Sequence, residues 1–434
     1  MSKYLLWLVG ITMTLGLGSC SDSDYINAIP KRSPAVVSVD LMSTADVSAQ
    51  RVLRALFQVG AADGNGVDIS KKMYIFELPD GSYGLCAAVS SSDKLADLLT
   101  QSGHRLTDFQ GCHFTTLGSS WLMGYSDCSL LVMGPVTVEG QPELMRQMSV
   151  YLNQDEDKGL RASRLFERLD TISAPIALVS QLQSLPEQMA ATLSLGMPKG
   201  ARPDQVYYAA GVSRHDRALV IHGQTFSFNH TVDTQIAQAK SKLGGIDGSF
   251  MASLQDSCFA TLFMHVRGAD FLQLLQASPA TQTLLAGANA VIDINSIIST
   301  FDGEVMVGVP SPNGKQGMVQ LLAHCQRADW LPHVAYWKKS VPSGASITDA
   351  GRDRWRYTSG STSFCFGIQP DGCFYFGTEP QKVSRPSSLQ SYMTGRKMAT
   401  VINLNRLPFS HSMPILGSVL GVLGPIDTMV YTLE

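Results

Sequence analysis

The sequence predicts an α+β fold made of two homologous halves, each a mainly antiparallel sheet with helices packed on it. Three observations predict it. A strand–turn–helix unit occurs four times, hairpin blocks recur in pairs, and the matches fall in the same order along both stretches of the chain. Helices interspersed among meander-like strands favour antiparallel pairing over a parallel crossover sheet.

The first unit begins at Ala35-Val36-Val37-Ser38-Val39-Asp40-Leu41, a β-branched run that ends polar-then-apolar. Met42-Ser43-Thr44 then leads into a helical stretch over Ala45–Phe57. The same pattern returns at Pro175–Leu182, Phe259–Val266 and Met398–Leu404, each followed by a short polar turn. In register, Asp40, Gln181, His265 and Asn403 each precede the last apolar residue of the strand. Pro186 and Pro408 also match, at positions where the first turn of a helix tolerates proline.

Longer blocks repeat between these units. Leu78-Pro79-Asp80-Gly81-Ser82-Tyr83-Gly84-Leu85 reads as a hairpin turn between strands, and Val309-Pro310 with Asn313–Met318 reads the same way. Helices are expected after each, over Asp93–Gln101 and Ala328–Lys339. Leu106-Thr107-Asp108 then matches Ile347-Thr348-Asp349, Trp121–Tyr125 matches Phe364–Ile368, and Gly134 matches Gly377. Asp204–Tyr208 is mirrored by Asp427–Tyr431. The halves are therefore placed at 30–250 and 251–434, with the first continuing into a further hairpin over Val212–Phe228. The period is far too long for a solenoid.

Ahead of the first half stands a leader: Lys3, an apolar run from Tyr4 to Leu17, then Leu17-Gly18-Ser19-Cys20. An aliphatic residue, two small residues and cysteine form a bacterial lipobox. Residues 1–19 are read as a signal peptide cut before Cys20, whose thiol takes a diacylglyceryl group and whose new amino terminus is acylated, with palmitate as the expected acyl group. The competing readings are an ordinary signal peptide and a membrane-spanning helix, for which the run is short of the ~20 apolar residues required. Residues 20–29 are read as a polar tether. Several acyl chains, at about 0.8 kcal/mol per buried methylene, make release from a membrane negligible. The later run Met413–Leu423 contains Gly417-x-x-x-Gly421 but is also too short to span, and reads as a buried helix or loop.

Ser21-Asp22-Ser23-Asp24 resembles the surface-export signal of Bacteroidota lipoproteins. It favours the outer membrane and leaves the periplasmic or cell-surface face undetermined. With Tyr25-Ile26-Asn27-Ala28-Ile29-Pro30 and the strand Val36–Leu41, it resembles a family of large Bacteroidota cell-envelope lipoproteins defined only as a domain of unknown function. Those proteins similarly begin with an Ile-Pro segment, a Val-x-Val strand and a Ser-led helix. The resemblance spans about residues 17–57. It implies an envelope location and brings no activity, cofactor or catalytic residue.

Composition narrows the partners. Charged residues make up 16% of the chain, against about 25% in an average soluble protein. The formal net charge is −3 and no basic block is present, which argues against nucleic acid. With Cys20 lipidated, seven of the eight cysteines remain: Cys86, Cys112, Cys128, Cys258, Cys325, Cys365 and Cys373. None forms a Cys-x-x-Cys pair, and several lie in strand-like apolar runs. They read as small apolar core residues, though an odd number also implies an unpaired thiol or an intermolecular bond.

Residue spacing supports no particular chemistry. The nine histidines include no His-x-x-x-His pair. Asn153-x-Asp155-x-Asp157 faintly follows a calcium loop, but Lys158 and Arg164 stand where glycine and glutamate are needed. No nucleophile elbow or P-loop occurs, and Gly244-Gly245-Ile246-Asp247-Gly248 reads as a turn. Catalytic, metal and cofactor residues are therefore not assigned. Asp40, Gln181, His265 and Asn403 are the candidate groove positions, set against the simpler reading that each bonds the backbone of its own turn. Trp330, Trp337 and Trp355 would suit glycan or peptide stacking if exposed, but the heptad spacing of Trp330 and Trp337 points to core packing.

The reading is a lipid-anchored, non-enzymatic envelope protein acting as a binding or assembly module for a protein or glycan partner. The alternatives are a surface or periplasmic hydrolase of glycan or peptide, and a structural subunit of an envelope complex.

Overall fold

The computed structural model describes residues 24–43, 66–185, 202–254, 257–277, 279–310, 318–378, 388–406 and 426–434. Cys20, the expected helix over Ala45–Phe57 and the run Met413–Leu423 lie outside the described residues. The chain is a mixed α/β protein with few helices and a large, open, mostly antiparallel sheet. It divides into two compact units, one ending at Ser180 and one beginning at Gln181. No helix among the described residues is long and apolar enough to cross a membrane.

In the first unit β1 (Ala35–Val39), β2 (Met73–Glu77) and β3 (Tyr83–Ala88) lead to α1 (Ser92–Gln101). β4 (Thr107–Phe109), β5 (Cys112–Leu117), β6 (Trp121–Tyr125) and β7 (Ser129–Gly134) follow, then α2 (Gln141–Leu152), α3 (Arg164–Asp170) and β8 (Ile176–Gln181). All pairings are antiparallel, in the spatial order β8-β1-β2-β3-β7-β6-β5-β4. Local chemistry sets the elements. The Pro79-Asp80-Gly81-Ser82 turn closes with Gly81 at φ +82° and the Ser82 N–H on Asp80 Oδ1 at 2.9 Å. α1 starts where the Ser91 hydroxyl accepts the Lys94 N–H, and it buries Leu95 and Leu99.

The first described element of this unit is a short 3-10 helix, Asp24–Ala28. Of the stretch 20–29 expected as a polar tether, Tyr25, Ile26, Asn27, Ala28 and Ile29 are buried. Four of these five are apolar, and Tyr25 packs its ring 6.1 Å from Tyr74.

The second unit opens with β9 (Tyr207–His215), β10 (Ala218–Phe226), α4 (His230–Ser241), β11 (Leu243–Gly244) and β12 (Cys258–Arg267). The helices α5 (Gly268–Ala277), α6 (Pro279–Asn289) and α7 (Ile294–Ile298) lead to β13 (Phe301–Pro310) and β14 (Gln320–Cys325). α8 (Val334–Ser340), β15 (Ala345–Gly351), β16 (Arg354–Ser359), β17 (Thr362–Ile368) and β18 (Phe374–Gly377) come next. α9 (Gln390–Met393), β19 (Met398–Asn403) and β20 (Thr428–Leu433) complete it. The order is β9-β10-β20-β19-β12-β13-β14-β18-β17-β16-β15, with β11 also bonded to β12. Only the β10–β20 pairing is parallel among these. α8 begins later than its sequence periodicity predicts, because Pro332 sits in a 3-10 turn over Leu331–His333.

Both faces of the strands in this second unit carry apolar residues. On one face Phe263, Met306, Leu322 and Val401 pack under Ile246, Phe250, Met251 and Met393. Phe374 points to the other face from between Cys373 and Tyr375, by strand alternation. There Trp330 meets the Phe374 ring edge-to-face at 5.8 Å and stacks on Trp337 at 6.2 Å. Trp330 and Trp337 are both buried, so these tryptophans are core and not a stacking platform.

Candidate functional site

Among the described residues of the second unit, a set of ionisable groups surrounds Glu304, a fully buried glutamate on β13. It shares the face of Phe263 and Met306, because alternate residues of a strand point the same way. Above it runs the turn Asp247-Gly248-Ser249-Phe250. Its backbone N–H groups at Asp247, Gly248 and Phe250 donate to the Glu304 carboxylate at 3.0, 2.7 and 3.3 Å. Gly248 has φ +86°, and a Cβ there would meet the Gln390 side chain at 2.8 Å. The sequence makes this turn because only glycine adopts that backbone without strain.

The next residues extend the cluster. Ser249 N–H donates to Asp247 Oδ1 at 2.8 Å, and Ser249 Oγ lies 2.8 Å from His324 Nε2. His324, on β14, stacks on Phe250 at 4.7 Å and places Nδ1 3.4 Å from Cys373 Sγ. The Cys373 N–H donates to Asp371 Oδ1 at 3.0 Å.

The electrostatics divide the two carboxyl groups. Burial, then the hydrogen bond and negative charge of Asp247, push Glu304 up to about 7, against the pull of the Gly248 and Phe250 N–H groups. The bond to Glu304, together with those from Ser249 and the charge of His324, draws Asp247 down to about 2. Burial and the nearby Asp371 push the Cys373 thiol up to about 12.

Ser249 and His324 have the spacing of a nucleophile and its base. Two further requirements of acyl transfer are missing from the arrangement. His324 Nδ1 meets a neutral thiol instead of an orienting carboxylate. The convergent backbone N–H groups that could hold an oxyanion are already bound to Glu304. As built, the cluster is a clamp. It fastens the Ile246–Leu254 segment over the core, with Ile246 also bonded through its N–H to Arg396 O and through its C=O to Gly395 N–H. Among the described residues no group of three His, Cys, Asp or Glu is placed to hold a metal ion.

The four positions read from the sequence are distributed as follows. Asp40 Oδ1 accepts the N–H groups of Met42 and Ser43 at 3.0 and 3.1 Å, and its Oδ2 accepts the Ser43 hydroxyl. Burial alone would raise its carboxyl, but these bonds hold it below the usual range. Asn403 accepts the Asn405 N–H at 3.1 Å. Gln181 donates to Tyr207 Oη at 3.2 Å and accepts from the Gln183 amide at 2.8 Å. His265 stands directly opposite Glu304 in the β12–β13 ladder, and its Nδ1 is buried with no hydrogen-bond partner among the described residues. β12 and β19 are antiparallel, so His265 adjoins the Met264–Met398 end and Asn403 the Ala260–Ile402 end. The register separates these two and brings His265 beside the cluster.

Sequence reading missed Glu304 and Asp247. One signal was present: Glu304 directly precedes the apolar run Val305–Val309 within one strand. A buried strand tolerates such a residue only if its charge is satisfied.

No curated protein matches the chain. A solved structure described as crystal form I of TP0453 is similar at 10% identity and a TM-score of 0.30, over 52% of this chain and 88% of that one. Crystal form III of TP0453 is similar at 11% identity and a TM-score of 0.29, over 46% and 77%. Likenesses this distant carry no functional argument. Residues 38–388 match the domain of unknown function DUF4836, and the chain belongs to that family.

Proposed function

We propose that this chain is a lipid-anchored cell-envelope protein, attached through Cys20 to the outer membrane of a Bacteroidota cell, and that it acts as a non-enzymatic binding or assembly module. The lipobox Leu17–Cys20 supports the anchor. The observation that carries the non-enzymatic part is the saturation of the Asp247, Gly248 and Phe250 N–H groups by Glu304. Among the described residues, this polar cluster holds its own loop, and these three N–H groups are not available to a reacting carbonyl.

We also infer that the scaffold arose by duplication, with repeat halves at 30–250 and 251–434. Register supports this. The sequence match sets Val37 against Leu262 and Leu178 against Thr400. Val37 pairs with Leu178, and Leu262 pairs with Thr400. The order β8-β1-β2-β3-β7-β6-β5-β4 in the first unit corresponds strand for strand to β19-β12-β13-β14-β18-β17-β16-β15 in the second. The compact units divide earlier than the repeats because β10 pairs with β20.

Capture of a partner from detergent-solubilised envelopes by the tagged, lipidated chain tests the module. A stoichiometric partner lost on partner-surface substitution is the expected result. The second reading, a hydrolase of glycan or peptide, is favoured by the 2.8 Å contact of Ser249 Oγ with His324. Turnover of a glycan or peptide panel that disappears in Ser249→Ala would establish it in place of the first.

A further inference from the structure

The fold starts almost at the anchor. Cys86 Sγ donates to Tyr25 O at 3.2 Å, and Tyr25 Oη donates to Lys72 O at 2.8 Å. Leu160 N–H donates to Ile29 O at 2.8 Å, and Lys31 N–H to Lys158 O at 2.9 Å. Pro30 and Gly159 form an antiparallel bridge, and a Cβ at Gly159 would come within 2.6 Å of Asn27 Cα. Arg161 lies 3.7 Å from Asp24. The chain is therefore built into the first unit from Asp24 onward.

Only Ser21, Asp22 and Ser23 separate Cys20 from that point. Four peptide steps span at most about 14 Å when fully extended. An acylated Cys20 sits at the membrane surface, so so short a link leaves Asp24 no room to stand away from it. The rim around Asp24 carries Lys31, Arg32, Lys158 and Arg161 together with Asp155, Glu156 and Asp157. With Asp24 these are four cations and four anions, a balance that a headgroup layer does not repel. Lys158 and Asp155 expose 66% and 83% of their side chains, so the rim is available for contact.

We propose that this rim of the first unit, formed by Asp24, Lys31, Arg32, Asp155, Glu156, Asp157, Lys158 and Arg161, rests on the phospholipid headgroups of the membrane that holds the anchor. The inference depends on the lipid-anchor reading and adds an orientation to it. Partner surfaces of the first unit then lie away from this rim.

The test uses the full lipidated chain in zwitterionic phosphatidylcholine vesicles containing a headgroup nitroxide. A fluorescent noncanonical residue at position 158 reports proximity by quenching. Twelve Gly/Ser residues inserted between Ser23 and Asp24 give a flexible link that should relieve the quenching about twofold or more. Vesicle flotation with quenching that the insertion relieves is the expected result. Flotation with quenching absent, or equal in both proteins, overturns the orientation and leaves the anchor standing. Failure to float, with no lipid mass on Cys20, removes the anchor and the orientation with it.

Discussion

Glu304 accepts the Gly248 N–H at 2.7 Å, so a buried carboxylate on β13 carries the turn that closes over the second unit's core. Removing that acceptor should be costly. Glu304→Ala strands three N–H groups and opens a cavity, for an expected loss of about 3 kcal/mol or more. Glu304→Gln keeps one acceptor oxygen and should lose about half as much. Urea unfolding midpoints measure both, and equal, near-zero shifts would show that the clamp is not structural.

The same pair fixes a pH dependence. Glu304 has a folded value near 7, above its usual 4.5. Its protonated form is favoured by folding, so its contribution is fully present below about 4.5 and is lost as pH rises through 7. Asp247 has a folded value near 2, below its usual 3.8. Its contribution is present above 3.8 and is lost as pH falls through 2. Thermal midpoints should therefore decline between pH 4.5 and 7, and Glu304→Gln should flatten that decline. A wild-type midpoint that rises across this window contradicts the assignment.

Gly244 and His265 test the packing next to the clamp. A Cβ on Gly244 would come within 2.5 Å of His265 Cδ2. Gly244→Ala should destabilise by about 1–3 kcal/mol. Adding His265→Ala should recover part of the loss, a coupling that a double-mutant cycle isolates. Additive effects would mean the two side chains do not meet.

In the first unit, Gly159→Ala places a methyl group against the Asn27 backbone. The expected outcome is undocking of the Asp24–Pro30 segment, read as faster hydrogen exchange at Tyr25–Ile29 and a stability loss of about 1–3 kcal/mol. Unchanged exchange would show that the segment docks independently of this contact.

Strands, turns and helix starts could be read from sequence because their causes are local. Apolar runs made β1, β8, β12 and β19, the Pro79–Ser82 turn joined β2 to β3, and Ser91 capped α1. Trp330 and Trp337 are buried as their spacing suggested, although Trp330 lies ahead of the 3-10 turn and not on α8. The Glu304 cluster had no such signature. Asp247, Glu304, His324 and Cys373 come from separate parts of the chain and meet only through strand pairing and loop closure. The four matched strand-end positions lay at equivalent sites, but a polar residue at a strand end can bond its own turn. Asp40 and Asn403 do so, which the pattern could not distinguish from a shared groove.

The mass of the protein recovered from envelopes decides whether the proposed lipid anchor on Cys20 exists. The expected result is an amino terminus at Cys20 bearing a diacylglyceryl group and an amide-linked acyl chain, absent in Cys20→Ala. A chain that keeps residues 1–19, with an unmodified thiol at position 20, would contradict it.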